Sequence, residues 1–273
     1  MEKPAFVCSI PRGRPWTPSL NCHKCNGFYG KHIVLPTKLK KRALLFMCES
    51  STDSSQEQEA AQPRYTKEVS LEVKELKSVL KKCSIYLIGP MGSGKSVIGK
   101  YMASELGFCF LDTDELIEAA AKRSIPEIFE TDGEEAFRDL ESAVLDQLAA
   151  FIGCCVATGG GAVLRKSNWG KLRCGIVVYL ETPVDVLRDR LQGDTTRPLL
   201  KNADGETLRE RIRDILEERR HLYMQADLTV HIEKSMPVDD AGKEVIRKLT
   251  NFIKANPPRS SKLYPGNLPK RGA

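Results

Sequence analysis

From residue 84 onward, short runs of consecutive apolar residues alternate with longer stretches in which apolar positions recur every three to four residues. The runs are SIYLIG (84–89), FCFLD (108–112), CCVATG (154–159), GIVVYLE (175–181) and LTVHI (228–232). Uninterrupted rather than alternating apolar strands mark a parallel sheet covered on both faces. Between them, 95–106, 134–149, 184–191, 207–223 and about 238–253 have helical length and amphipathic spacing. Strands separated by helix-length segments give βαβ units, and hence a doubly wound, three-layer α/β/α fold around a five-stranded parallel sheet. Thr182 followed by Pro183 predicts an N-cap with proline at the first helical position. A short helical pattern over 69–80 leads into this block.

Composition changes outside it. Residues 1–48 carry nine Lys and Arg against one acid, Glu2, so the chain's net charge of +6 sits there and the remainder is slightly acidic. That distribution argues against a folded nucleic-acid-binding face. A basic, acid-poor segment without the apolar core of a secretory signal has the character of a transit peptide, for a plastid or, as the alternative, a mitochondrion. The expected organisation is a transit peptide over 1–48, a linker and short helix over 49–82, the folded domain over 83–256, and a Pro-rich, basic, disordered tail over 257–273. No stretch approaches the roughly 18 to 20 apolar residues of a membrane span, so a soluble protein without a membrane partner is expected. Cys22 and Cys25 form a lone CxxC with His23 inside it. No second pair follows at finger spacing, which argues against zinc. Cys83, Cys109, Cys154, Cys155 and Cys174 fall in or beside apolar runs and read as buried free thiols.

Chemistry enters directly after the first run. Gly89, Pro90, Met91, Gly92, Ser93, Gly94, Lys95 and Ser96 fit the GxxxxGK[ST] pattern, between a strand and a helix. Glycines let backbone N–H groups wrap a polyanion, and the helix N-terminus adds favourable partial charge. Lys95 would reach the β- and γ-phosphates, and Ser96 would offer a hydroxyl to Mg²⁺. A chance match in a chain this long is on the order of 1% from average glycine usage, and the strand-loop-helix context lowers it further. A nucleoside triphosphate is the expected ligand.

The acceptor must be read elsewhere. Neither a guanine-reading NKxD nor an apolar strand followed by a DE pair is present. Instead FCFLD ends in Asp112-Thr113-Asp114, which places two carboxylates at the sheet edge where open α/β folds bind ligands. A helix N-cap explains such a pair equally well. Phe137, Arg138 and Glu141 open a long helix, where an arginine is usually solvated. Gly159, Gly160 and Gly161 follow a strand, as either a tight turn or a place of close ligand approach. Arg190 and Arg197 flank a Gly-containing loop that could serve as a cationic lid excluding water during phosphoryl transfer. Arg219 lies near a helix end.

Each feature is weak alone, but GPMGSGKS, DTDELIE, IPEIFETDGEEAFRDLE, ATGGGAV, RPLL and EERRHLY, in this order, resemble shikimate kinase over about 170 residues, from Ser84 to about Ile253. The resemblance implies the nucleoside-monophosphate-kinase-like P-loop fold with a mobile lid, ATP as co-substrate, Mg²⁺, and phosphorylation of shikimate. It also implies roles. Asp114, Arg138, Gly160 and Arg219 would hold shikimate, with its carboxylate between the two arginines and Asp114 on the ring hydroxyls, including the one phosphorylated. Gly159 and Gly161 would line the same end. Asp112 would act on Mg²⁺ through water, Arg197 would be the lid arginine on ATP, and Arg190 with Pro237 would flank the adenine. Glu141 would support Arg138, and Phe137 would pack beside the ring. Arg219 and Arg138 suit the task because a guanidinium makes two parallel hydrogen bonds to a carboxylate. The chain departs from the family pattern at Arg220-His221, where many members carry a residue followed by proline, and at Ser96, where many use Thr.

Two rivals belong to other classes of activity. A related kinase acting on gluconate would keep the phosphate loop but not the DTD, FRxxE and GGG set. A binding or regulatory protein that has lost catalysis should have lost Asp114, Arg138 or Arg197, and all three are present. The expected partners are shikimate and ATP, with no nucleic acid, in a monomer or weak homodimer.

Overall fold

A computed structural model describes residues 76–77, 79–80, 83–194, 197–200, 205–234 and 236–256. The basic segment 1–48 with its CxxC, most of 49–82 and the tail 257–273 lie outside them. Five strands form one sheet: β1 (Ile85–Ile88), β2 (Cys109–Asp112), β3 (Cys154–Ala157), β4 (Ile176–Glu181) and β5 (Leu228–His231). Their order is β2-β3-β1-β4-β5, and every pairing is parallel. The helices are α1 (Lys95–Leu106), α2 (Thr113–Ala121), α3 (Ile125–Thr131), α4 (Gly133–Leu148), α5 (Lys166–Leu172), α6 (Val184–Leu191), α7 (Gly205–Tyr223) and α8 (Val238–Ala255).

The uninterrupted apolar strands are explained by cover on both faces. In β1, Ile85 and Leu87 face a core with Ile98, Met102 and Leu106 of α1 and Val245, Ile246 and Leu249 of α8. Tyr86 and Ile88 face the other core, with Leu116 and Ile117 of α2, Val144 and Leu145 of α4, and Tyr223 of α7. Alternate residues of one strand thus enter opposite cores, as the pleat requires. Leu76 and Leu80, both helical and buried, join the first core, so the end of the 69–80 pattern packs onto the sheet. A smaller cluster of Leu187, Leu191, Leu200, Leu208 and Ile212 ties α6 to α7.

Two expectations shift and one, the helix over 207–223, holds. The cap of α6 is Pro183, whose extended ψ of 146° and carbonyl bonded to the Leu187 N–H at 3.1 Å place the helix start one residue later than Thr182-Pro183 suggests. Cys83, Cys154 and Cys155 are buried free thiols, whereas Cys109 and Cys174 are half-buried, because they begin an edge strand and end a short turn. Finally, α7 runs unbroken through Arg220-His221 to Tyr223, since no proline interrupts its hydrogen bonds there. Among the described residues, no helix is long and apolar enough to cross a membrane.

Candidate active site

A cavity of about 640 Å³ opens at the carboxyl edge of the sheet. This is where the order β3-β1-β4 reverses the direction of winding, the usual binding crevice of such folds. Its first wall is the loop after β1. Gly94 caps α1 with φ 90°, a left-handed conformation that suits glycine and turns the backbone into the helix. Lys95 Nζ donates to the Gly89 and Pro90 carbonyls at 2.9 and 2.7 Å and to Ser93 Oγ at 3.3 Å. Burial lowers the Lys95 pKa to about 8, against the pull of the Asp114 carboxylate. Arg190 Nη1 donates to the Gly92 carbonyl at 3.1 Å, anchoring the end of α6 to the loop.

Beside that wall, Ser96 Oγ donates to Asp112 Oδ2 at 2.6 Å. Asp112 also caps α2, its Oδ1 accepting from the Asp114 N–H at 3.0 Å. Capping and site chemistry therefore share one carboxylate, an oxygen each. The Ser96 hydroxyl and Asp112 carboxylate form an oxygen-only donor pair beside the phosphate loop. That set suits Mg²⁺, which takes few protein ligands and keeps waters and phosphate oxygens for the rest. No cluster of three or more His, Cys, Asp or Glu suited to a metal occurs among the described residues, so no all-protein cage competes with this arrangement.

The opposite end of the cavity is built from buried charge. Arg138 of α4 is only 5% exposed, with Nη1 on Glu141 Oε2 at 3.1 Å and Nη2 on Glu134 Oε1 at 2.8 Å. Its guanidinium lies 5.1 Å from the centre of the Phe137 ring, which in turn packs on Phe129. Glu141 is fully buried, and burial raises its pKa to about 7 even though Arg138 pulls it down. Burial, reinforced by the neighbouring Asp112 charge, also raises the Asp114 pKa. Arg219 of α7 is 5% exposed. Four buried polar atoms have no partner here: Asp114 Oδ1, Arg138 Nε, Glu141 Oε1 and Arg219 Nε. All four residues line the one cavity. Buried polar groups are rarely left unpaired, and a cluster of them in a cavity marks a polar ligand's place.

Gly159, Gly160 and Gly161 form the floor. A Cβ on Gly159 would stand 2.7 Å from Glu141 Oε1 and 2.8 Å from Asp114 Oδ1, and one on Gly161 would overlap the Arg138 guanidinium. The glycine run therefore makes room for the charged side chains as well as for a ligand. Two residues without a role expected from sequence hold it: Thr113 Oγ1 accepts from the Gly159 N–H at 2.9 Å, and the Tyr223 hydroxyl donates to the Gly160 carbonyl at 2.6 Å. Thr113 lies hidden between the two noticed aspartates. Tyr223 could have been singled out as the apolar-face residue one turn beyond Arg219.

At the loop's far side, Val97, Ile98, Ile232, Met236 and Val238 make an apolar slot beside Arg190. Pro237 does not line it. Pro237 is exposed and caps α8, while its neighbours Met236 and Val238 line the slot. Arg197 lines the mouth, half-exposed and paired with Asp194 at 3.2 Å. Every other site residue expected from sequence lies on this cavity or, as with Gly89, Pro90 and Ser93, holds Lys95 beneath it.

Comparison with known proteins agrees with this geometry. The family model described as "Shikimate kinase" matches residues 91–254. The shikimate kinase of Nostoc punctiforme is 43% identical over 179 residues, covering 66% of this chain and 97% of the relative. That of Rippkaea orientalis is 44% identical over 176 residues, covering 64% of this chain and 92% of the relative. Among solved structures, shikimate kinase from Acinetobacter baumannii in complex with shikimate superposes with a TM-score of 0.58 at 38% identity, covering 66% of this chain and 98% of that one. The Aquifex aeolicus shikimate kinase gives 0.53 at 35% identity, covering 63% and 98%. With the family model spanning more than half of the chain, relatives above 40% identity matched over nearly their whole length, and solved structures of the same fold, the comparisons agree: the chain belongs to the shikimate kinase family.

Proposed function

We propose that the cavity takes the ATP phosphates along 89–96 and shikimate between Asp114, Arg138, Gly160 and Arg219, in the family's reaction, the ATP-dependent phosphorylation of shikimate. One observation carries this assignment of ends: the four unpartnered buried polar atoms of Asp114, Arg138, Glu141 and Arg219 converge on a single cavity next to the phosphate loop. Shikimate is a monoanionic polyol, so it needs cations for its carboxylate and acceptors for its hydroxyls. Arg138 and Arg219 offer the first, Asp114 Oδ1 the second. The Acinetobacter relative, solved in complex with shikimate, supports shikimate as the acceptor.

Each residue then has a task. Asp114 orients the acceptor hydroxyl and takes its proton as the new P–O bond forms; its raised pKa makes it a better base than an ordinary carboxylate. Lys95 leaves the Gly89 and Pro90 carbonyls for the phosphate oxygens and there steadies the charge of the transferring group. Arg197, at the mouth, does the same from the ATP side. Ser96 and Asp112 would hold Mg²⁺, which supplies charge neutralisation on the phosphates. Arg190, Met236 and Val238 bracket the base of the nucleotide.

The deciding experiment uses protein from about residue 49, MgATP and a coupled ADP assay with shikimate, gluconate or no acceptor. ADP release that depends on shikimate alone is expected. Turnover on gluconate would move the assignment to the rival kinase, and ATP binding without turnover on any acceptor would favour the non-catalytic protein.

The basic, acid-poor residues 1–48 and the cyanobacterial character of the relatives support a plastid address. Residues 1–48 fused to a fluorescent protein should enter isolated chloroplasts; import into mitochondria instead would redirect the assignment.

A further inference from the structure

The Gly159–Gly161 floor is clamped from two sides, and the clamp has a directional consequence. Thr113 Oγ1 holds the Gly159 N–H at 2.9 Å, and Tyr223 holds the Gly160 carbonyl at 2.6 Å. Among the described residues, no group accepts from the Gly160 or Gly161 N–H. In a trans peptide the carbonyl and the following N–H point to opposite sides of one plane. A carbonyl of Gly160 pinned to Tyr223 therefore turns the Gly161 N–H away from Tyr223, at the glycine whose Cα abuts the Arg138 guanidinium. Rotating the same peptide the other way would bury a carbonyl oxygen beside the substrate's anion.

Tyr223 is itself rigidly held. It is fully buried, its ring stacks on Tyr179 with centroids 5.1 Å apart, and it stands one helical turn after Arg219 on α7. Burial raises its pKa to about 12, and the positive charge of the adjacent Arg219 guanidinium pulls the other way. The hydroxyl therefore stays a donor at physiological pH. The phenol thus fixes one backbone peptide, and it does so one helical turn from an arginine that lines the same cavity.

We propose that Tyr223 is a positioning residue for the acceptor's carboxylate: through Gly160 it aims the Gly161 N–H at the anion that Arg138 and Arg219 take. This rests on the assignment of the Arg138–Arg219 end to shikimate. Neither Tyr223 nor Thr113 touches the acceptor; the backbone amide is the third donor of a carboxylate cradle whose other two are arginines.

The test is Tyr223→Phe, which keeps the stacked ring and removes only the hydroxyl. With shikimate, KM should rise about 5- to 15-fold, the effect of one lost hydrogen bond to an oriented group, while kcat and the KM for ATP change less than about twofold. With the neutral carboxamide of shikimate as acceptor, wild type and variant should have the same kcat/KM within about twofold. An equal penalty on both acceptors, or none on shikimate, overturns the positioning role; a lowered Tm with an unchanged KM does so as well. If wild type itself fails to prefer shikimate over the carboxamide, the assignment of the carboxylate end falls, and the proposal with it. Thr113→Val provides a second variant should Tyr223→Phe fold poorly, with the same acceptor-dependent pattern expected.

Discussion

The two ends of the cavity are built in opposite ways. The phosphate end comes from eight consecutive residues, 89–96, and most of what it offers is backbone. The acceptor end gathers Asp114 from α2, Arg138 and Glu141 from α4, the glycine floor after β3, and Arg219 and Tyr223 from α7. Its parts are separated by as many as 109 residues, Asp114 to Tyr223. The difference follows from the ligands. A polyphosphate is recognised by any concave array of N–H groups, which one glycine-rich turn can supply. A small polyol acid needs donors and acceptors at fixed, unlike positions, and only side chains from several elements can provide them. The phosphate end should therefore be robust to side-chain change and the acceptor end brittle.

The largest expected break is Asp114→Ala. Losing a single positioned electrostatic group typically lowers turnover by about 10²–10³, so kcat should fall by that amount in the coupled assay while ATP still binds. Full activity in this variant would remove Asp114 from the chemistry.

Next comes Arg138→Lys, which keeps the charge but cannot pair two carboxylates and a substrate in one plane. The KM for shikimate should rise about 10- to 100-fold, consistent with the usual worth of a charged hydrogen bond, with the KM for ATP unchanged. Equal changes in both constants would mean that the two ends are not separate.

The phosphate end has its own sensitivity, to pH. Lys95 is lowered from 10.5 to about 8 by burial, so in the empty site it becomes neutral above that value. A bound polyanion favours the cation, so nucleotide binding takes up a proton in this range. ATP affinity measured by calorimetry should fall as pH rises from 8 toward 10, by up to about tenfold per unit. A flat profile would show that the backbone alone carries the phosphates.

The smallest effect is on stability. Glu141 has a pKa raised from 4.5 to about 7 in the folded state. It binds a proton more tightly folded than unfolded, so its stabilising contribution is full below about 4.5 and is lost as pH rises through 7. Compared with Glu141→Gln, which cannot ionise, wild-type protein should lose several degrees of Tm between those limits, since a shift from 4.5 to about 7 corresponds to roughly 3 kcal/mol. Parallel Tm profiles for the two proteins would place Glu141 in its ordinary range.

The contrast between the ends also explains what could be read early. The phosphate loop, the strands and the start of α1 and of α6 to within one residue lie in contiguous patterns, where alternation, glycine spacing and proline act locally. Arg138 and Arg219 were legible only as part of a family's whole set of motifs, because an isolated helical arginine looks solvated. Pro237, which caps α8, is not among the residues lining the cavity, while its neighbours Met236 and Val238 are, and only the packing shows which of the three face inward.

Sequence by itself determined the parallel α/β sheet, because uninterrupted apolar strands have no other way to bury both faces, and it determined the glycine-rich loop over 89–96 between β1 and α1, because that feature is one contiguous pattern. Tertiary structure alone decided the rest. It set Arg138 and Arg219 at 5% exposure facing one cavity, left Asp114 Oδ1 without a partner, and brought Tyr223 within 2.6 Å of Gly160 across 63 residues of chain. The physical reason is that burial and pairing depend on what packs above a side chain, and that neighbour comes from elsewhere in the sequence.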